Sequence, residues 1–234
     1  MRLFGTIIAA GAILVLSGCK SDERAPSATA PASQTSTRAA DSAASRPAPQ
    51  RADQDDPDVT FCGLRQPARH VVYLVDRSGS MLEMFHEVRH EVLSSIARLK
   101  ASQTFHVIFF SADGPLENPP KCLVPADVGA KIAASKFLWE VAPQGRSDSL
   151  PAIGRAFQVL RDAPEGGGRV IFLVTDGVFP DNSKVVAAIA DANKGRAVRV
   201  HTILVGDRSP AAEKVLRKIA AGNGGLFKFV KMDE

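Results

Sequence analysis

Along residues 60–234, continuous apolar runs alternate with stretches whose apolar positions recur every three to four residues. The runs His70–Val75, Phe105–Phe110, Arg169–Val174, Val198–Val205 and Leu226–Val230 are rich in β-branched and aromatic residues. Runs of that length with little alternation predict strands buried on both faces. Cys122-Leu123-Val124 is shorter and is reached through the turn signal Asp113-Gly114-Pro115, so it predicts an antiparallel edge strand. Helical spacing covers residues 84–100, 126–141, 149–162, 182–194 and 210–221. In the first of these, Phe85, Val88, Val92, Ile96 and Leu99 share one face. The last stops at Gly222-Asn223-Gly224-Gly225. Strands alternating with helices predict an α/β fold: a doubly wound, mostly parallel six-stranded sheet, one antiparallel edge strand, and helices on both faces. Such sheets bind ligands beyond the carboxyl ends of their strands, where the strand order switches direction.

The first 59 residues lack this alternation. Arg2 is followed by an apolar run from Leu3 to Leu16, about 14 residues where a spanning helix needs roughly 20. The run ends in Leu16-Ser17-Gly18-Cys19, as a signal peptide would, and residues 1–18 are expected to be one. That ending resembles the lipobox of bacterial lipoproteins, which implies a lipidated Cys19 as the first residue of the mature chain. The expected location is therefore the bacterial cell envelope, the outer membrane being favoured by Lys20. Residues 19–59 are dominated by Ala, Ser, Thr, Pro and Gln and have no hydrophobic period, so they are expected to be a flexible linker. Its acidic end, Asp53 to Asp58, lacks the glycine and glutamate of a calcium loop and reads as a solvated charge run. Residues 60–234 are expected to form the one folded domain.

With 45% hydrophobic and 23% charged residues the chain has the balance of a globular protein, which excludes a collagen-like or polytopic membrane protein. The net charge of +4 arises from 29 Lys and Arg against 25 Asp and Glu. Residues 60–234 hold a surplus of five cations spread through the sequence, which gives no indication of a nucleic-acid groove.

Candidate chemistry gathers after the predicted strands. Asp76-Arg77-Ser78-Gly79-Ser80 follows the first, Thr175-Asp176-Gly177 follows the strand at 169–174, and Gly145-Arg146-Ser147-Asp148-Ser149 opens a helix. Short oxygen-bearing side chains that converge at one sheet edge suit a hard divalent cation. Together these motifs resemble the von Willebrand factor type A domain, from about residue 68 to 231. Its metal-ion-dependent adhesion site matches Asp76, Ser78, Ser80, Ser147 and Asp176. The resemblance implies bound Mg²⁺ or Mn²⁺, a non-enzymatic function, and a protein ligand that offers a carboxylate to the metal. The family usually has threonine where Ser147 stands, and serine lacks the methyl that restricts χ1. The alternatives are a structural subunit of an envelope assembly, in which any metal is incidental, and a metal-dependent hydrolase.

His86-Glu87-Val88-Arg89-His90 spells a zinc-protease signature. On the predicted helix both imidazoles point away from the apolar face, and no third ligand follows, so they read as a solvated surface. His70, His106 and His201 lie in or beside strands and read as structural. Phe137 and Trp139 read as core. Cys62 and Cys122 form a possible disulfide, since an exported domain meets oxidising conditions.

Overall fold

The computed structural model describes residues 56–177 and 179–231. Nine strands and five helices follow in the order β1 (Asp58–Phe61), β2 (Leu64–Pro67), β3 (His70–Asp76), α1 (Phe85–Arg98), β4 (Thr104–Phe110), β5 (Leu116–Glu117), β6 (Val124–Pro125), α2 (Val128–Glu140), α3 (Leu150–Arg161), β7 (Arg169–Thr175), α4 (Asn182–Ala192), β8 (Val198–Val205), α5 (Pro210–Gly222) and β9 (Phe227–Val230). Strands β1 and β2 form a separate antiparallel hairpin, and the main sheet runs β5-β4-β3-β7-β8-β9 with β6 also paired to β4. Strands β3, β4, β7, β8 and β9 are parallel to one another, whereas β5 and β6 pair antiparallel with β4. The sheet therefore has seven strands rather than six, and two short antiparallel segments replace the single expected edge strand. Each is only two residues long, too short for periodicity to reveal.

Side-chain alternation splits the core in two. Val71, Tyr73 and Val75 of β3 face a cluster with Phe85, Val88 and Val92 of α1, Leu138 of α2, and Val59 and Phe61 of the hairpin. Val72 and Leu74 face the other side, with Ile153 and Phe157 of α3, Val185 and Ile189 of α4, and Leu216 of α5. A strand sends successive side chains to opposite faces, so continuous apolar runs are the signature of a sheet covered on both.

The linker expectation needs adjustment at its end. Val59 is buried, and the Asp56 side chain is 1% exposed, where it accepts a hydrogen bond from the Gly168 amide and pairs with Arg69 at 3.2 Å. Asp58 pairs with Arg65 across the hairpin. Asp56 is thus buried in the domain rather than solvated, while Asp58, its side chain 30% exposed, is held at the hairpin. Trp139 also departs from its reading as core: it is 56% exposed, with the Arg89 guanidinium 5.0 Å over its ring. Phe137 packs against the first cluster.

Three strand histidines are structural, as their positions suggested. His70 Nδ1 lies 2.8 Å from the Thr104 hydroxyl, and His106 Nε2 lies 2.8 Å from Glu117, which Arg155 also holds. His201 is 1% exposed, stacks on Phe172 at 5.2 Å, and accepts a hydrogen bond at Nδ1 from the Leu226 amide. Burial, with the nearby Arg199 charge, lowers its pKa from 6.5 to about 4. Below pH 6.5 the unfolded chain takes up a proton that the native chain refuses, so stability is lost as pH falls from 6.5 towards 4. The slope attributable to His201 should reach about 1.4 kcal/mol per pH unit. Urea midpoints between pH 7 and pH 4.5 should show this slope diminished in His201→Phe.

Candidate metal centre

The chain winds from β3 outward to β4, then returns to place β7 on the other side of β3. The order thus switches direction between β3 and β7, and two adjacent parallel strands whose connections leave in opposite directions open a crevice at their carboxyl ends. Register places Val75 opposite Val174, so Asp76 and Thr175 end their strands side by side. Three loops meet there. The Gly79 amide donates to the Gly145 carbonyl at 2.9 Å, the Gln144 amide to the Arg77 carbonyl at 2.7 Å, and the Ala112 amide to the Arg146 carbonyl at 2.7 Å.

Asp76 is 0% exposed. Its Oδ1 accepts from the Ser78 amide at 2.8 Å, which closes an Asx turn. Its Oδ2 accepts from the Ser147 hydroxyl at 3.2 Å and from the Thr175 hydroxyl at 2.9 Å. Ser78 Oγ and Ser80 Oγ are 3.1 Å apart. Ser78 precedes a 3-10 turn at Gly79–Met81 without capping it through its side chain, so helix capping does not occupy that hydroxyl. Burial raises the Asp76 carboxyl above the usual carboxylate range; its hydrogen bonds oppose the rise, and the charge of nearby Asp176 adds to it.

Of the five expected donors, Ser78, Ser80 and Ser147 are thus joined to Asp76 or to one another by hydrogen-bond distances, and half-buried Asp176 is close enough to repel it. Ser149, two residues beyond Ser147, is buried at the start of α3 with its hydroxyl unpartnered.

The donors fit a hard cation. Among the described residues none of Asp76's partners is a cation, and the adjacent Arg77 guanidinium is turned to Asp113 at 3.6 Å and to the Ala142 carbonyl. A buried carboxylate held by neutral donors, with the Asp176 charge nearby, favours a divalent ion. No cluster of three or more His, Cys, Asp or Glu side chains is placed to hold a metal among the described residues; this centre relies on hydroxyls instead.

Sequence reading missed two parts of this arrangement. Thr175 orients Asp76, a role that its place in Thr175-Asp176-Gly177 could have signalled. Asp113 receives both Arg77 and the Gln144 side-chain amide, at 2.8 Å, tying the loop after β4 to the loop that carries Ser147. Nothing in the sequence links residues so far apart.

A family model described as the von Willebrand factor type A domain matches residues 71–178. This span runs from β3 to the loop after β7 and contains all five candidate donors. The domain has the von Willebrand factor type A fold. Two curated human proteins are similar: inter-alpha-trypsin inhibitor heavy chain H4, 27% identical over 73% of this chain, and von Willebrand factor A domain-containing protein 3A, 30% identical over 67%. The chain spans only 19% and 13% of their lengths. Solved structures share the type A fold. A von Willebrand factor type A protein from Catenulispora acidiphila superposes with a TM-score of 0.61 at 22% identity, covering 72% of this chain and 40% of that one. The pilus adhesin SpaC from Lactobacillus rhamnosus GG, in an open conformation, gives 0.59 at 15% identity over 76% of this chain and 28% of its own. Manganese-loaded TRAP from Plasmodium vivax gives 0.51 at 20% identity over 65% and 62%.

Two further expectations are corrected by the type A domain's geometry. His86 and His90 are exposed as expected, but they do line a groove, of about 790 Å³, between α1, the hairpin turn at Cys62–Gly63 and β9. Cys62 and Cys122 are not bridged to each other. Cys62 borders Lys228 of β9 at one sheet edge, whereas Cys122 lies between β5 and β6, which pair with β4 near the other edge. Strands spaced about 4.8 Å apart put such positions far beyond the ~7 Å Cα separation that a disulfide tolerates. Cys19 lies outside the described residues.

Proposed function

We propose that the chain is an exported, non-enzymatic binding module that captures a protein ligand through Mg²⁺ or Mn²⁺ held by Asp76, Ser78, Ser80, Ser147 and Asp176. The observation that carries this reading is the buried Asp76 carboxylate, ringed by neutral hydroxyl and amide donors at the strand-order switch. Three hydroxyls and two carboxylates would balance the ion's charge and supply five of the six oxygens of an octahedral shell, leaving the sixth position for a carboxylate from a partner. The similarity in fold to manganese-loaded TRAP and to a pilus adhesin supports this reading.

Residues 1–18 serve as the signal peptide, Cys19 as the lipid anchor, residues 20–55 as the tether and residues 56–234 as the binding domain, at the bacterial envelope with the outer membrane favoured. A coil of about 40 residues would extend roughly 35 Å on average, enough to let the domain search for its ligand. Among the described residues no helix is long and apolar enough to cross a membrane. Mass spectrometry of envelope-extracted protein should find an acylated Cys19.

Pull-down from envelope extract tests the capture function. A partner retained in Mg²⁺ and released by EDTA is expected, and the Asp76→Ala chain should retain none. Retention that ignores both treatments would favour the metal-independent structural subunit.

A further inference from the structure

The first residues of β3, β4, β7 and β8 are level, since His70 pairs with Thr104 and Arg169, and Arg169 pairs with Val198. This row is the base of the domain, opposite the candidate metal centre. Helices α1, α3 and α4 each lead into one of these strands, so their C-terminal turns also reach the base. Lys100, Arg161, Lys194 and Arg196 are exposed there, and Arg169 and Arg199 are half-exposed. The anions at the same end are fewer. Asp191 pairs with Lys194 at 3.3 Å and Asp56 with Arg69, leaving Asp162 and Glu165 in the α3–β7 connection and Asp127, which caps α2 close to the first residue of β4. The opposite end carries Asp76, Asp113, Asp148, Asp176 and Asp207 on its loops. The fold therefore gathers a surplus of cations at this end, while at the opposite end Arg77, Arg146 and Arg208 stand among those aspartates. Helix C-termini favour nearby cations, but Lys100, Lys194 and Arg196 lie beyond their helices in the turns, and Arg169 and Arg199 lie on strands.

The chain enters the domain at this same end: Asp56 accepts from the Gly168 amide, directly before β7. Upstream lie the linker and the apolar run Leu3–Leu16.

We propose that the basic base of the domain docks on an anionic phospholipid surface, holding the metal loops at the far end away from the membrane. Cations spread over turns and strand ends, with no aromatic platform among them, suit a diffuse charged surface better than a nucleotide-binding groove. The choice of lipid rests on the tether proposed above; the metal centre plays no part in it.

Flotation tests this with the unacylated full chain, on vesicles of phosphatidylcholine alone or mixed with phosphatidylglycerol. The double variant named below separates the base from the leader, whose own cations Arg2 and Lys20 also favour the anionic vesicles. At 0.1 M salt at least hundredfold tighter association with the anionic vesicles is expected, and this preference should vanish at 1 M. Each cation near such a surface contributes about fivefold, so Lys100→Gln with Arg196→Gln should lower the anionic affinity about 25-fold and leave the neutral one unchanged. Hydrogen exchange should show protection on the anionic vesicles at residues 194–199. Equal association with both vesicles, an unaffected double variant of native circular dichroism, protection at residues 145–148 instead, or tighter binding to a duplex oligonucleotide would each overturn the proposal. Because the chain is unacylated, such a failure would leave the Cys19 anchor to be judged by mass spectrometry alone.

Discussion

Saturating Mg²⁺ is expected to raise the unfolding temperature of the wild-type chain by about 5–10 °C and to leave the Asp76→Asn variant unmoved. An ion at a hundred times its dissociation constant stabilises the native state by about 2.7 kcal/mol. A domain of this size gains about 2–4 °C per kcal/mol. The variant keeps the side chain's shape but removes the charge that the ion would neutralise. Without metal it should be as stable as wild type to within about 1 kcal/mol, since the hydroxyls of Ser147 and Thr175 can rotate to accept from an amide. Differential scanning calorimetry in MgCl₂ and in NaCl of matched ionic strength separates specific binding from screening. A wild-type midpoint identical in both salts would remove the metal from the account of this site.

Replacing Gly225 by alanine should cost about 3 kcal/mol, although it adds a single methyl. A Cβ there would stand 2.0 Å from the Val200 carbonyl oxygen and 2.9 Å from the His201 nitrogen. Both belong to the backbone of β8, which is hydrogen-bonded to β7 on one side and β9 on the other, so neither can move aside. The chain must instead lift away before β9, straining the bonds from the Leu226 amide to His201 and from the Thr202 amide to the Leu226 carbonyl. Overpacking against a fixed partner reaches or exceeds the upper end of its usual 1–3 kcal/mol range. Gly154 is the matched control. It lies exposed on α3 with nothing within 4 Å of its added Cβ, so alanine there should stabilise by about 0.5–1 kcal/mol. Urea midpoints should therefore move in opposite directions, and a Gly225→Ala chain as stable as wild type would show that β8 yields.

How much of this was visible in the sequence differs from element to element. The four long strands and five helices were legible because burial on both faces leaves an unbroken apolar run, and burial on one face leaves a 3.6-residue period. The stop at Gly222-Asn223-Gly224-Gly225 marked the end of α5 correctly. It did not say why Gly225 is glycine, because the reason is the β8 backbone. β1, β2, β5 and β6 are two to four residues long and, unlike the equally short β9, carry no aromatic-rich run to mark them. Trp139 sat at a helical position consistent with core, yet which side of α2 meets the sheet depends on α1.

The sequence by itself determined the layered α/β architecture, the order of the elements and the three loops that carry oxygen donors. These follow from local periodicity and from short motifs, which need no distant neighbour. Tertiary structure alone decided that Ser147 and Thr175 both reach Asp76, that Cys62 and Cys122 stand apart, and that the surplus cations collect at the base. Each of these depends on strand order and register, which bring together residues up to 99 positions apart; no local pattern along a chain encodes that distance.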